Sequence, residues 1–188
     1  MIKELVPTLY PGSTVVIIGC GGLGQFGVQH ARFLTSSSRI IGVDVDDKKL
    51  SIAKELGADV IINSKKEDVV KKVKELTDGD GAQGMVDFLG TDVTLAQAYS
   101  RGGRQSNLVL VGLAGGTLKF TAGPLNDLKV TMSNWGSISE LSEVLFLAMT
   151  GKIRTTVKRI GFSEMNKTFE ELAAGKIEGR AILVPDQR

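Results

Sequence analysis

The chain has 188 residues, 42% of them hydrophobic, enough for one ordinary domain with a proper core or slightly more. Its 23 basic and 21 acidic residues are mixed along the sequence to a net charge of +2, a balance that argues against nucleic-acid or membrane-surface binding as the main role. One Cys and one His leave no internal disulfide and no Cys- or His-rich metal site, no apolar run approaches the ~18 to 20 residues of a membrane span, and Met1 to Leu5 lacks a signal-peptide core, so a reducing, cytoplasmic setting is expected.

In chain order, residues 2–9 suit a short helix stopped by Pro11-Gly12. Thr14 to Ile18 is apolar throughout, as a central parallel strand should be. A helix from Leu23 to Leu34 follows, with Leu23, Gly27, Ala31 and Leu34 on one face. Arg39 to Val43 is the second strand, and Asp46 can cap a helix from Lys48 to Leu56 that Gly57 ends. Asp59 to Ile62 is the third strand. Ser64-Lys65-Lys66-Glu67 has the form of a capping box for a helix turning Val69, Val70, Val73 and Leu76 inward. The lysines of that helix are interleaved with acids and read as a solvated face. Met85 to Leu89 gives a fourth strand, Val93 to Tyr99 a short helix, Arg101-Gly102-Gly103-Arg104 a turn, Leu108 to Val111 a fifth strand and Lys129 to Met132 a sixth. In the last third, Ser137 caps a helix to Thr150, Thr155 to Ile160 is a strand, Ser163 caps a helix carrying Met165, Phe169 and Leu172, and Ala181 to Val184 is a final strand. This alternation predicts an α/β Rossmann fold: a doubly wound, six-stranded parallel sheet with right-handed crossovers and a C-terminal helix and strand extension.

The stretch from Val15 to Asp44 carries the chemistry. Strand, glycine turn, helix, strand and acid follow in the order a dinucleotide site requires. Gly19 permits the tight turn, Gly21 leaves room for a pyrophosphate to reach the backbone, and Gly24 lets the helix pack close to the sheet. The helix N-terminus offers free N–H groups and a positive dipole end. Asp44 has the spacing of a carboxylate that accepts hydrogen bonds from an adenosine ribose. Cys20 reads as a small filler, although a helix N-terminus can lower a thiol pKa, and His30 reads as a packed or half-exposed helix residue. Ligands on such a sheet sit beyond the C-terminal strand ends, which gathers Gly19 to Gly24, Asp44, Gly90-Thr91, Val111 to Leu113 and Ser133 to Trp135 around one crevice.

Taken together, Tyr10 to Val15, Gly19 to Gly24, Ile41 to Asp44, Ala53 to Asp59, Val109 to Leu113 and Gly175 to Arg180 resemble the coenzyme-binding half of the zinc-type medium-chain alcohol dehydrogenases. The resemblance covers essentially the whole chain. It implies that Gly19, Gly21, Gly22, Leu23 and Gly24 hold the pyrophosphate of NAD, that Asp44 and Lys49 meet the adenosine ribose, and that Gly90 and Thr91 flank the adenosine side. It further implies that Val111, Gly112 and Leu113 line the nicotinamide ribose, that backbone groups of Ser133 and Trp135 meet the carboxamide, and that Arg180 reaches the pyrophosphate from the tail. Met132 stands where the family usually has glycine, and Gln105-Ser106-Asn107 lengthens the turn before the fifth strand. The implied domains are a linker helix over 1–10, an NAD-binding domain over 11–135, and a segment over 136–188 that packs on a catalytic domain preceding this chain in the family. Zinc, the proton relay and most of the substrate pocket belong to that domain, so no catalytic and no metal-binding residue is expected here.

The expected function is therefore that of an alcohol dehydrogenase cofactor module, binding NAD in preference to NADP and catalysing nothing alone. A stand-alone NAD-binding or NAD-sensing module is the alternative. A methyltransferase using S-adenosylmethionine fits the glycine spacing less well, and a zinc-free quinone reductase fits Asp44 and Gly21-Gly22 less well. Homodimerisation or higher self-association is expected through the sheet edge near Asn126 to Ser133.

Overall fold

The computed structural model describes residues 1–35, 38–120 and 127–185. Strand β1 (Thr14–Ile18) is buried at every position, and its branched side chains fill both faces of the sheet. The chain then alternates α1 (Gly24–Leu34), β2 (Arg39–Asp44), α2 (Asp47–Glu55), β3 (Val60–Asn63), α3 (Val69–Leu76), β4 (Ala82–Asp87), α4 (Asp92–Arg101), β5 (Gly102–Leu110) and β6 (Lys129–Met132). All six strands are parallel, in the order β3-β2-β1-β4-β5-β6. The order reverses at β1 and β4, so their C-terminal ends open a crevice where the glycine turn leaves the sheet. Val15, Ile17 and Val86 pack on α1 and α2, while Val16, Ile18 and Met85 pack on α3 and α4, giving one apolar layer per face.

Beyond β6, α5 (Ile138–Met149) is capped by Ser137 as expected, with Glu140 reaching back to the Ser137 N–H. Strands β7 (Val157–Ile160) and β8 (Arg180–Leu183) form a separate parallel pair joined through α6 (Met165–Ala173). Large apolar side chains stay exposed here, among them Ile138, Phe146, Met149, Phe169 and Leu172.

Four local expectations are corrected. The helix expected over residues 2–9 is two 3-10 turns, Ile2–Glu4 and Val6–Thr8, and Ile2 and Leu5 are buried in the core rather than merely linking. Ser64 does not cap α3. Asn63 takes that stretch into a turn, its Oδ1 accepting from Lys65 N and its carbonyl from Lys66 N and Glu67 N, so the helix starts later with Asp68 accepting from Lys71 N. Arg101 to Arg104 is no turn: α4 runs through Arg101 directly into β5. The added residues Gln105 to Asn107 sit inside that strand as a bulge, where Gln105 takes a positive φ of 52° and the register jumps from Ala82↔Gly102 to Gly84↔Asn107. Finally, α6 is preceded by a 3-10 turn, Phe162–Glu164, and is not capped by Ser163.

Candidate nucleotide-binding site

Each glycine of the turn has a distinct neighbourhood. Gly19 has φ 86°, a left-handed conformation that L side chains rarely adopt, and its N–H donates to Val43 O at 2.8 Å. A Cβ at Gly21 would meet nothing within 4 Å, so the space over that peptide is open. A Cβ at Gly24 would fall on the Gly19 carbonyl, so this glycine closes the turn on itself. The close approach of α1 to the sheet is made one turn later, where a Cβ on Gly27 would lie 2.6 Å from the Phe88 ring. No side chain caps α1, and its first intrahelical bond runs from Gln25 N to Gly21 O. The N–H groups ahead of Gln25, at Gly22, Leu23 and Gly24, therefore precede the first intrahelical bond, at the positive end of the helix dipole.

Asp44 closes β2 beside this turn and is 9% exposed. Its Oδ2 accepts from Cys20 N at 2.7 Å, and its Oδ1 accepts from Val45 N at 2.7 Å and Asp46 N at 3.1 Å. Three backbone donors fix the carboxylate, and one lone-pair site, on Oδ2, remains for a hydroxyl. Cys20 is the filler the sequence suggested, fully buried with its Sγ toward Val43 O. The possible lowering of its pKa by the helix N-terminus does not occur: burial, and then the Asp44 carboxylate, push the thiol up to about 12.

The tail meets the turn from the other side. A Cβ on Gly22 would lie 2.9 Å from Gly179 O and 3.4 Å from Arg180 Nη1. Lys49 Nζ would lie 3.6 Å from a Cβ on Gly175, a residue with φ 70°. The tail from Gly175 to Arg180 thus runs from Lys49 of α2 to Gly22 of the turn.

The far rim is built from backbone. The loop after β4 carries Gly90 and Thr91, and the loop after β5 carries Val111, Gly112 and Leu113. Gly112 N donates to Asp87 O, Ala114 N to Leu89 O and Gly116 N to Gly90 O, at 2.9 to 3.1 Å. Cβ atoms at Gly90, Gly112 or Gly116 would each strike the backbone of the opposite loop. Asp87, the last residue of β4, organises this rim: fully buried, its Oδ1 accepts from Leu89 N at 2.8 Å and Gly90 N at 3.1 Å. The signal for it in the sequence is a lone acid inside the apolar run Met85 to Leu89, just ahead of Gly90. Thr91 caps α4. Ser133 N donates to Leu110 O, while Leu113 and Trp135 project outward at 76% and 95% exposure. Met132 also points outward, at 65% exposure.

Beside Val111, Ser133 and Trp135 lies a groove of about 720 Å³ between α1 and α5, apolar in Leu23, Phe33, Phe146 and Leu147. His30 lines it, with Nδ1 2.8 Å from Phe26 O. Zinc does not fit this chain's donors: Cys20 is enclosed at the turn, His30 lies on α1, and the described residues hold no group of three or more His, Cys, Asp or Glu able to bind a metal ion.

Against known proteins, residues 22–150 match the sequence model of a family described as zinc-binding dehydrogenase. An NAD-dependent alcohol dehydrogenase of Sulfurisphaera tokodaii is 36% identical over 182 residues, covering 95% of this chain and 52% of its own length. An alcohol dehydrogenase of Geobacillus stearothermophilus is 35% identical over 175 residues, covering 92% and 50% respectively. The crystal structure of the alcohol dehydrogenase from Aeropyrum pernix superposes with a TM-score of 0.92 at 37% identity, covering 98% of this chain and 53% of that one. The chain spans about half the length of the curated relatives it matches.

Proposed function

The chain belongs to the zinc-binding dehydrogenase family, and on that premise we propose that it is the NAD-binding half of an alcohol dehydrogenase, serving hydride transfer between an alcohol carbon and NAD. The observation that carries this reading is the 2.7 Å bond from Cys20 N to Asp44 Oδ2, which ties the ribose-binding acid directly to the phosphate-binding turn. When bound, NAD supplies the nicotinamide carbon that accepts the hydride. The chain's own residues bind and orient it. The free N–H groups at Gly22 to Gly24 and the Arg180 guanidinium take the pyrophosphate. Asp44 accepts from a ribose hydroxyl at its remaining site, with Lys49 completing the contact to the sugar, and a 2′-phosphate is repelled there. Gly90 and Thr91 flank the adenosine, Val111 to Leu113 line the second ribose, and backbone groups of Ser133 and Trp135 meet the carboxamide.

On this reading, polarising the alcohol oxygen and removing its proton fall to a second domain that would also carry zinc, as the family resemblance implies. The exposed apolar groove and the bare faces of α5 and α6 support such a partner domain. The outer edge of β6 supports self-association, since a strand edge with unpaired groups is a template for a second copy; Asn126, at the start of that expected edge, lies outside the described residues. The chain itself is read as acting in the cytoplasm, and no described helix is long and apolar enough to cross a membrane.

Calorimetric titration with NAD and NADP tests the binding reading: NAD binds and NADP binds more weakly. Metal analysis and NADH formation with a panel of alcohols test the division of labour. Stoichiometric zinc with clear turnover by this chain alone would overturn it, and equal affinity for both cofactors would overturn the role given to Asp44.

A further inference from the structure

We propose that Gln29, which lies away from every group assigned to the cofactor, is a positioning residue that sets Arg180 against the pyrophosphate. The inference rests on the nucleotide-binding reading above. Gln29 is 6% exposed on α1. Its Nε2 donates to Arg154 O at 2.8 Å and to Gln25 O at 3.1 Å, and its Oε1 accepts from Arg154 N at 2.8 Å. One amide thus satisfies both backbone groups of a residue 125 positions away, as a neighbouring strand would.

The constraint continues to the site. Two residues beyond Arg154, the Thr156 carbonyl accepts from Arg180 N at 2.9 Å. A Cβ on Gly179 would strike that same carbonyl, so the approach of the two backbones is already at its limit. Gly179 and Arg180 then lie on Gly22. The glycine turn and α1 therefore grip the tail twice, at Gly22 and, about two helical turns further along, at Gln29. The tail is tied internally by β7 and β8 and by Lys158 to Glu171 at 2.8 Å, so it shifts as a unit when either grip is lost. Arg180 is exposed and has no carboxylate within ion-pair distance among the described residues, so its aim depends on where its backbone is held. Replacing Gln29 by an apolar residue of similar length unpairs Arg154 and frees the unit that carries Arg180.

The test is a double-mutant cycle read by NAD titration of the full 188-residue chain: wild type, Gln29→Met, Arg180→Ala and the double variant. Losing a charge-assisted contact, Arg180→Ala weakens NAD binding about tenfold, and Gln29→Met weakens it about fivefold. The double variant binds no more weakly than Arg180→Ala alone, because Gln29 acts only through Arg180. Additive losses overturn the inference, as does full affinity in Gln29→Met. Melting temperatures taken in parallel report any general loss of stability, which lowers both Arg180 backgrounds equally without merging their affinities. Should Gln29→Met not fold, Gln29→Asn carries the cycle: it stays neutral but is one methylene too short to hold both Arg154 groups, and gives a loss of about twofold that again vanishes beside Arg180→Ala. A wild-type chain that binds no NAD overturns the nucleotide-binding reading and this inference with it; additive losses in a chain that binds NAD overturn this inference alone.

Discussion

Alanine placed at Gly21 and at Gly24 separates what the two glycines do. Both lie in one turn, yet their surroundings differ completely. Gly21 is not among the residues with positive φ, and a Cβ there meets nothing within 4 Å. Gly21→Ala is therefore free of clash and free of strain, and it stabilises the fold by about 0.4 to 1 kcal/mol through the unfolded chain. The added methyl occupies the space assigned to the pyrophosphate, pushing it out of reach of the turn's N–H groups. Losing one to two charge-assisted bonds costs about 3 kcal/mol, or roughly a hundredfold in Kd. At Gly24 the signs invert. A helical Gly→Ala change is normally stabilising by about 1 kcal/mol. Here the Cβ falls on the Gly19 carbonyl, a backbone atom that cannot rotate away. Overpacking of this kind costs about 3 kcal/mol, which for a chain of this size lowers the melting temperature by about 6 to 12 °C. Thermal melts followed by circular dichroism and NAD titration followed by the single tryptophan, Trp135, supply both readouts. A Gly21→Ala chain that melts like Gly24→Ala, or that keeps wild-type affinity for NAD, would refute the reasoning.

Asp44→Ser should narrow the preference for NAD over NADP, seen as converging affinities in paired titrations. A thiol reagent at pH 8 should leave Cys20 unmodified in the native chain and label it after unfolding, since burial and then Asp44 raise its pKa to about 12. Asp59 is held below the ordinary carboxylate range: partial burial pushes it up, but the Ile40 N–H and then Arg32 outweigh that. A lowered folded pKa adds stability above the unfolded value of about 3.9 that is lost as pH falls through the folded one. Asp59→Asn should therefore cost about 1 kcal/mol at pH 7, with the gap to wild type closing in the acid limb of the denaturation profile. In β6, Ser133 N bonds inward to Leu110 O, so by alternation the Met132 N–H faces outward. Met132→Pro should shift sedimenting dimers to monomers, and a wild type that sediments only as monomer at micromolar concentration would count against edge pairing.

The sheet and the phosphate turn were legible because their signals are local and coincide. An all-apolar strand, three spaced glycines and a terminal acid lie within one stretch, and each limits the backbone in the same direction. What stayed hidden depends on distant partners or on competition between equal local choices. Ser64-Lys65-Lys66-Glu67 and Asp68 both offer a helix cap, and Asn63 decides between them by claiming the earlier residues for its own turn. Arg101 to Arg104 has turn composition, yet α4 keeps Arg101 while pairing with β4 draws Gly102 onward into a strand and leaves the excess as a bulge. Gln29 looks like any polar helix residue until Arg154 arrives from the far end of the sequence.

The far rim of the crevice has a mechanical consequence. Where Gly90, Gly112 and Gly116 meet, main chain lies on main chain with no side chain between. The loops after β4 and β5 are in effect welded into one plate along the part of the crevice assigned above to the adenosine and the nicotinamide ribose. Neither loop can hinge by itself, so any opening of the crevice to admit cofactor must be borne by the opposite wall, where the Gly175 to Arg180 tail lies against the turn. The plate also has no side chain there for substitution to trim. A change in its spacing has to lengthen or shorten both loops together, which makes this rim the part of the site least free to drift as the rest of the crevice is retuned.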